Sequence, residues 1–294
     1  MRLALRPRPF EYYAPSSLSE ALDLLSKVDD AKILAGGQSL ITLMKLRLVA
    51  PTVLIDINNA SELANIREES GELVIGALTR HDQLANDDRV RSRCILLAEA
   101  ANVIADQQVR NRGTVGGSLA HADPTADLPT ACTALGAMIV AASKKGPRPI
   151  KSEEFFKDYF TTALGPDEII QEVRIPIPPT GSGGAYLKLT KGHNDFAIVA
   201  AAAQLTVDNG SICKTASVVL GGVASTPVHA QETEAHLIGR KLDDQVIGES
   251  AEKASQSLHP SSDIRATSEY RLKMVRVFAK RAIGLAARRT RGGG

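Results

Sequence analysis

Apolar positions along the chain fall into alternating helical and strand-like segments. Ser17-x-x-Glu20 reads as a capping box, opening a helix with Leu18, Ala21, Leu22 and Leu25 on one face. A short apolar strand, Lys32 to Ala35, runs into a glycine pair. Leu40, Leu43, Met44 and Arg47 then recur at helical spacing until Pro51 ends that segment. Val53 to Ile57 reads as a buried strand, so strand, helix and strand form a βαβ unit with a small parallel sheet. A second stretch begins with the strand Leu73 to Gly76, followed by a short helix capped by Thr79. A longer helix runs from Cys94 to Ile104, with Leu96, Leu97, Ala100 and Ile104 inward. Ala105 to Asp123 reads as a loop, Leu128 to Leu135 as a helix and Ala137 to Ala142 as a strand. Ser152 is expected to cap the helix Glu153 to Phe156, and Glu168 to Ile175 forms a strand running into Pro176, Pro178 and Pro179.

That proline run and Gly181-Ser182-Gly183-Gly184 make the clearest linker. Three strand-like segments follow it: Ala185 to Thr190, Phe196 to Val207 and Ser217 to Val223. Three helices come after them, with Pro227 as first residue behind Thr226, then openings at Asp243 and Ser268. The last carries Tyr270, Met274, Val277, Phe278 and Ile283. The expected fold is α+β, with an N-terminal domain over residues 1–178 and a C-terminal α+β domain over 185–294. The first domain would have a small parallel βαβ lobe (about 1–58) and a mixed α/β lobe (59–178); the second would be a three-stranded antiparallel sheet with helices.

The two glycine-rich segments, Ala35-Gly36-Gly37-Gln38-Ser39 and Thr114-Val115-Gly116-Gly117-Ser118, carry the chemistry. Paired glycines let backbone N–H groups approach a ligand without Cβ interference. Consecutive amides aimed into one concavity suit a phosphate. Two such segments from remote parts of the chain suit a pyrophosphate held from two sides, as in a dinucleotide such as FAD. Taken alone, Gly36-Gly37 reads equally as a tight strand-to-helix turn. The stretch from Asn111 to Asp127 is poor in core-forming side chains, and a loop of that length in a compact domain is usually functional. Asp127 fits either an N-cap of the following helix or a ribose acceptor. His121 lies beside the second pair without a positioned acid or nucleophile, and His193 reads as a turn residue between two strands.

Composition excludes more than it selects. The 294 residues are 44% hydrophobic and 23% charged, and 35 basic against 33 acidic residues give a net charge of +2. That balance implies no strong field for nucleic acid or membrane. The basic cluster Arg276, Lys280, Arg281, Arg288, Arg289 and Arg291 reads as a solvated helix face. The opening MRLALRPRPF lacks the apolar core of a signal peptide, and no run approaches the roughly 18 apolar residues of a membrane span. A cytoplasmic location is expected. Cys94, Cys132 and Cys213 are widely spaced, without C-x-x-C, which argues against disulfides, zinc or an iron–sulfur cluster held by this chain. No G-x-G-x-x-G, P-loop or G-x-S-x-G motif occurs.

The segments ILAGGQSLITLMKLR, QQVRNRGTVGGSLAHADPTADLP and VLGGVASTPVHA resemble the flavoprotein subunit of molybdenum hydroxylases. That family includes the medium subunits of aerobic carbon monoxide dehydrogenase and of aldehyde oxidoreductases, and the central domain of xanthine dehydrogenase. The likeness spans essentially the whole chain, and it implies one noncovalent FAD between the two lobes. By motif position, Lys32, Ile33, Leu34, Ala35, Gly36, Gly37, Gln38 and Ser39 would wrap the pyrophosphate from one side, and Thr114, Val115, Gly116, Gly117 and Ser118 from the other. Asp127 would meet the ribose, Ile104 and Ala105 would line the flavin, and Lys188 and Phe196 would stand near the isoalloxazine. Leu40, His121 and Ile170 complete the expected cofactor-binding set. The chain departs from relatives at Gln38, where some carry histidine, at Ser118, where many carry asparagine, and in the turn Lys191 to Asp195, which lacks an arginine often seen there. It also lacks a cysteine-bearing cluster insertion.

The resemblance implies an electron-transferring FAD subunit of a heterotrimer, assembled as a dimer of heterotrimers. A large molybdopterin subunit would oxidise an aldehyde, an N-heterocycle or carbon monoxide. A small subunit with two [2Fe-2S] clusters would pass electrons to this chain, which would deliver them to an external acceptor. The rival readings are a self-contained FAD oxidoreductase of the same superfamily and a scaffold that has lost its flavin.

Overall fold

The computed structural model describes residues 6–192 and 194–291. His193, the first five residues and the last three glycines therefore lie outside the described residues.

The first lobe is the expected βαβ unit with one more strand. β1 (Glu11–Tyr13), α1 (Leu18–Leu25), β2 (Ala31–Leu34), α2 (Leu40–Lys45) and β3 (Val53–Asp56) give a parallel sheet of order β1-β3-β2, with Tyr12 opposite Leu54 and Ile33 opposite Ile55. The Ser17 side chain accepts the Glu20 N–H, one half of the expected capping box, while the Glu20 carboxylate accepts the N–H of Ser16 rather than that of Ser17. β1 carries no apolar alternation, because all three of its residues are exposed.

The second lobe is built on an antiparallel sheet of order β4-β5-β10-β6-β7. Its strands are β4 (Ile66–Glu69), β5 (Glu72–Gly76), β6 (Met138–Ser143), β7 (Gly146–Lys151) and β10 (Ile169–Pro176), and the small hairpin β8 (Phe156–Asp158) with β9 (Thr161–Thr162) lies beside it. Between β5 and β6 run α3 (His81–Asn86), α4 (Asp88–Arg93), α5 (Ile95–Asn102), α6 (Gln107–Arg110), α7 (Val115–His121) and α8 (Asp127–Ala134), and the single turn α9 (Ser152–Phe155) follows β7. Three local expectations need correction. The stretch 105–123 is not one loop, since it holds α6 and α7. The cap of α3 is Arg80, while Thr79 instead donates its hydroxyl to the Asn65 carbonyl at 3.1 Å. Lys151, not Ser152, occupies the cap of α9. β7 went unread because it contains Pro147 and Pro149; as the outermost strand it needs no donors on its free side.

The C-terminal part is an antiparallel sheet, β11 (Ser182–Thr190), β12 (Ala197–Val207), β13 (Cys213–Gly221) and β14 (Val228–His229), followed by α10 (Gln231–Leu237), α11 (Asp244–Lys253) and α12 (Ser268–Arg289). The fourth strand occupies the place where Pro227 was expected to start a helix; α10 begins later, after Ala230. Asp243 caps α11 as expected, and Thr267 caps α12 one residue earlier than expected.

β12 is a continuous apolar run because both its faces are covered. Ile198, Ala201, Ala203 and Leu205 pack with α12 residues Val275, Phe278, Ala282 and Ala286. Ala197, Ala200 and Ala202 join Tyr186 and Val219 in the cluster that also holds Leu96, Leu97, Leu128 and Ala131 of α5 and α8. The glycines expected as a linker have a packing role: Gly183 is inside β11, and a Cβ there would meet the Ala286 carbonyl and, at 2.7 Å, the Thr290 nitrogen. Cys94, Cys132 and Cys213 are buried free thiols, and burial pushes the first two up to about 12. Among the described residues no helix is long and apolar enough to cross a membrane.

Candidate flavin-binding site

The two glycine segments, about eighty positions apart in sequence, meet in space. A Cβ at Gly36 would run into the Arg112 carbonyl oxygen and would stand 2.8 Å from the Gly113 Cα. A Cβ at Gly117 would lie 3.9 Å from the Ala35 Cβ. Gly37 adopts φ +76°, a left-handed conformation costly for other residues, and this turns the chain from β2 into α2.

A side-chain clasp holds the meeting point. Arg80 donates through Nη1 to the Arg112 carbonyl at 2.6 Å and through Nη2 to Asn58 Oδ1 at 2.7 Å. Asn58 Nδ2 in turn donates to the Ala35 carbonyl at 2.8 Å. One guanidinium therefore ties the turn of the first lobe to that of the second, using the fixed fork that arginine offers. Neither Arg80 nor Asn58 was singled out from sequence, because each stands in a local pattern without periodicity or motif. Beneath the second turn, His81 is 5% exposed and its Nδ1 has no hydrogen-bond partner. Burial, with Arg80 and Arg110 nearby, pushes its pKa down to about 4.

The backbone donors of the two turns differ. The N–H groups of Gly36, Gly37, Gln38 and Ser39 donate to no protein acceptor among the described residues. In the second segment every amide from Val115 to Ser118 is taken: Val115 by Thr79 O at 3.0 Å, Gly116 by Ala77 O at 2.8 Å, Gly117 by Thr114 Oγ1 at 3.2 Å and Ser118 by Thr114 O at 3.0 Å. The sequence-based expectation of amide donors from both turns is thus corrected. The second segment is the capped start of α7, and its glycines serve close approach; a Cβ at Gly116 would sit 2.6 Å from the Ala77 Cβ.

The remaining expected residues form a second group. Asp127 is 5% exposed and accepts from Tyr186 Oη at 2.8 Å and from Lys188 Nζ at 3.0 Å. It opens α8 without a side-chain capping bond. Burial raises its carboxyl above the ordinary value, against the pull of Lys188 and Tyr186. Lys188 Nζ also donates to the Val103 carbonyl at 2.8 Å, one residue before Ile104. Nearby, Glu99 accepts the Tyr186 N–H at 2.9 Å and Arg289 Nη2 at 2.6 Å. These bonds fasten β11 and α12 to α5 and α8.

Ala105 has φ 39°, unusual for a residue with a Cβ, and Arg110 Nη1 donates to the carbonyls of Ile104 and Ala105 at 2.9 and 3.0 Å. Phe196 precedes β12 and is 49% exposed, so it is not the core residue its strand would suggest. Lys32 and Gln38 are exposed, Ile33 to Gly37, Ser39 and Leu40 half-buried. Ile170 lies within β10 at 4% exposure and packs in the core of the second lobe. His121 ends α7 with its ring 5.1 Å from that of Phe160, and burial lowers its pKa.

Comparison with known proteins agrees with this architecture. The family described as FAD binding domain in molybdopterin dehydrogenase matches residues 8–178, and that described as CO dehydrogenase flavoprotein C-terminal domain matches residues 184–286. The chain is 40% identical over 288 residues to the 6-hydroxypseudooxynicotine dehydrogenase complex subunit alpha of Paenarthrobacter nicotinovorans, covering 98% of this chain and 97% of that one. It is 39% identical over 286 residues to the carbon monoxide dehydrogenase medium chain of Afipia carboxidovorans, covering 97% and 99%. A crystal structure of the Cu,Mo-CO dehydrogenase in its cyanide-inactivated form superposes with a TM-score of 0.93 at 39% identity, over 97% of this chain and 99% of that one. The chain belongs to the FAD-binding medium subunits of the molybdenum hydroxylases.

Proposed function

We propose that this chain holds FAD in the cleft where the two glycine turns meet and carries electrons between a small iron–sulfur subunit and an external acceptor. The observation that supports this most strongly is the four free amides from Gly36 to Ser39, in a turn that abuts Arg112 and Gly113 just before the glycine-bearing start of α7. A buried or half-buried amide without an acceptor costs roughly 1–3 kcal/mol. A phosphate oxygen would satisfy several at once through charge-assisted bonds. The residues present therefore fit the group.

In this reading Lys32 to Leu40 and Thr114 to Ser118 flank the diphosphate. Ser118, half-buried, contributes its hydroxyl, while Thr114 is buried and its Oγ1 accepts from the Gly117 N–H to hold the start of α7. Asp127 acts toward the ribose from the start of α8, and its carboxylate also binds Lys188. Ile104, Ala105, Lys188 and Phe196 border the ring system. His121 and Ile170 support it from behind. FAD supplies reversible one- and two-electron chemistry when bound, and the protein supplies orientation, exclusion of water and electrostatic tuning.

Substrate oxidation belongs to a large molybdopterin subunit, and a small subunit with two [2Fe-2S] clusters delivers the electrons. The named relatives are subunits of a 6-hydroxypseudooxynicotine dehydrogenase complex and of a carbon monoxide dehydrogenase, and such different substrates on similar chains fit a substrate pocket outside this subunit. A dimer of heterotrimers, a cytoplasmic location and a division of the chain into 1–178 (lobes near 1–58 and 59–178) and 185–294 complete the proposal. Co-expression with a large molybdopterin subunit and a small iron–sulfur subunit tests it. The purified complex should contain one FAD per copy of this chain, reduced by substrate only when the small subunit is present. Substrate turnover by this chain alone would contradict it.

A further inference from the structure

Phe196 leads into a buried strand yet stands half exposed, and its ring is stacked by a residue from far along the chain. The Arg265 guanidinium carbon lies 5.3 Å from the Phe196 ring centroid. Arg265 Nε also approaches Asp195 Oδ1 at 3.5 Å, and that oxygen accepts the Phe196 N–H at 2.7 Å. Arg265 is held in place from behind. Asp263 Oδ1 accepts the backbone N–H groups of Arg265 and Ala266 at 2.9 and 3.0 Å. Asp263 Oδ2 pairs with Arg271 Nη2 at 2.8 Å. Arg271 is 3% exposed and its Nη1 donates to the carbonyls of Ile198 and Gly222 at 2.6 and 2.8 Å. Lys191 Nζ reaches the Ile264 carbonyl at 3.0 Å. The segment 263–266 is therefore fastened across the turn that precedes Phe196.

Stability does not account for the outermost pair, Arg265 with Asp195. The Arg265 and Asp195 side chains are 30% and 31% exposed, and such pairs contribute little in water. What the tethers achieve is a fixed geometry: an aromatic ring with one face taken by a cation, and a positive charge held at a set place. We propose that Arg265 is a positioning residue for the flavin ring system, orienting Phe196 and fixing a positive charge at that edge of the site. This rests on the reading above that sets Phe196 against the ring. A fixed cation near a flavin favours its more negative, reduced state, so Arg265 raises the reduction potential.

The test compares Arg265→Gln, Arg265→Lys and Phe196→Ala in the assembled complex, by spectroelectrochemical titration, visible absorption and FAD content. Arg265→Gln should keep the complex folded, lower the FAD potential, alter the visible band in the direction that Phe196→Ala does, and weaken FAD retention about two- to fivefold, the factor of an exposed cation–π contact. Arg265→Lys should restore most of the potential. A normal potential and spectrum in Arg265→Gln beside changed ones in Phe196→Ala would overturn the role of Arg265 and leave the site reading intact. Equal losses in the Gln and Lys variants, tracking a lowered Tm, would reduce Arg265 to a structural brace and overturn it too. No change in Phe196→Ala would remove the placement of the ring system and this inference with it.

Discussion

The carbonyl oxygen of Arg112 occupies the space that a side chain on Gly36 would need. This contact sets the two turns directly against each other, so neither can move toward the other. Because the obstacle is backbone, a methyl group at position 36 has nowhere to go. Gly36→Ala is expected to separate the turns at a cost of about 1–3 kcal/mol, the usual range for overpacking. The variant should fold, with unchanged far-ultraviolet circular dichroism, but should lose FAD at least tenfold more readily. Equilibrium dialysis against FAD measures this, and wild-type retention would show that the contact does not shape the site.

Arg80 is expected to matter through its fork more than its charge. It donates to Arg112 O and Asn58 Oδ1 at once, and Asn58 passes the restraint to Ala35. Arg80→Lys keeps the charge but cannot serve both acceptors in this geometry. Both Arg80→Lys and Arg80→Ala should therefore weaken FAD binding, with the lysine variant recovering less than half of the free-energy loss. Full recovery by lysine, read from FAD titration, would show that charge alone is needed.

The Asp127–Lys188 pair gives a prediction with a pH sign. Removing one partner of a buried pair costs about 3–5 kcal/mol, so Lys188→Met should lower Tm markedly, and Asp127→Asn in that background should recover much of the loss. The folded Asp127 carboxyl already binds its proton more tightly than the ordinary 3.8. A raised folded pKa means stability is fully present in acid, below 3.8, and is lost as pH rises through the folded value. Without Lys188 that value rises further. The destabilisation by Lys188→Met should then be smaller at pH 5 than at pH 8 in denaturant titrations; equal destabilisation would contradict the pair's assigned electrostatics.

His81 titrates with the opposite sign. It is held neutral with a folded pKa of about 4 against an ordinary 6.5. A lowered histidine pKa means the unfolded state binds the proton first, so stability falls as pH drops from 6.5 toward 4. The distance between those two values caps the loss at roughly 3 kcal/mol. His81→Gln should flatten the acid limb of stability between those values. Because a Cβ at Gly113 would lie 2.5 Å from His81 Cδ2, ring and turn are in contact, and acid should also promote FAD release. An unchanged acid limb in the variant would contradict this.

Much of the fold was legible because its apolar periodicity is strong: α1, β3, β5, α5, β12 and α12 all stand within a few residues of their expected ranges. What escaped has physical reasons. β1 is wholly exposed and β7 carries prolines on an outer edge, so neither shows the alternation of a half-buried strand. β14 is only two residues long and follows a proline that also suits a helix start. The 105–123 stretch looked like loop because α6 and α7 are short and rich in glycine and polar residues. Glycine pairs marked two segments that meet in space, but not that Gly116 and Gly117 would be helix-initiating residues with their amides spent. Arg80, Asn58 and Arg265 act through contacts across long sequence distances, which no local pattern records.

The central claim is that the free amides of Gly36, Gly37, Gln38 and Ser39 grip a flavin diphosphate against the Thr114–Ser118 start of α7. A high-resolution structure of the heterotrimer purified with its flavin tests it most directly. The account predicts phosphate oxygens within hydrogen-bond distance of at least two of those four amides, with the Gly36–Arg112 contact kept. A diphosphate bound elsewhere, with those amides facing only solvent, would contradict it.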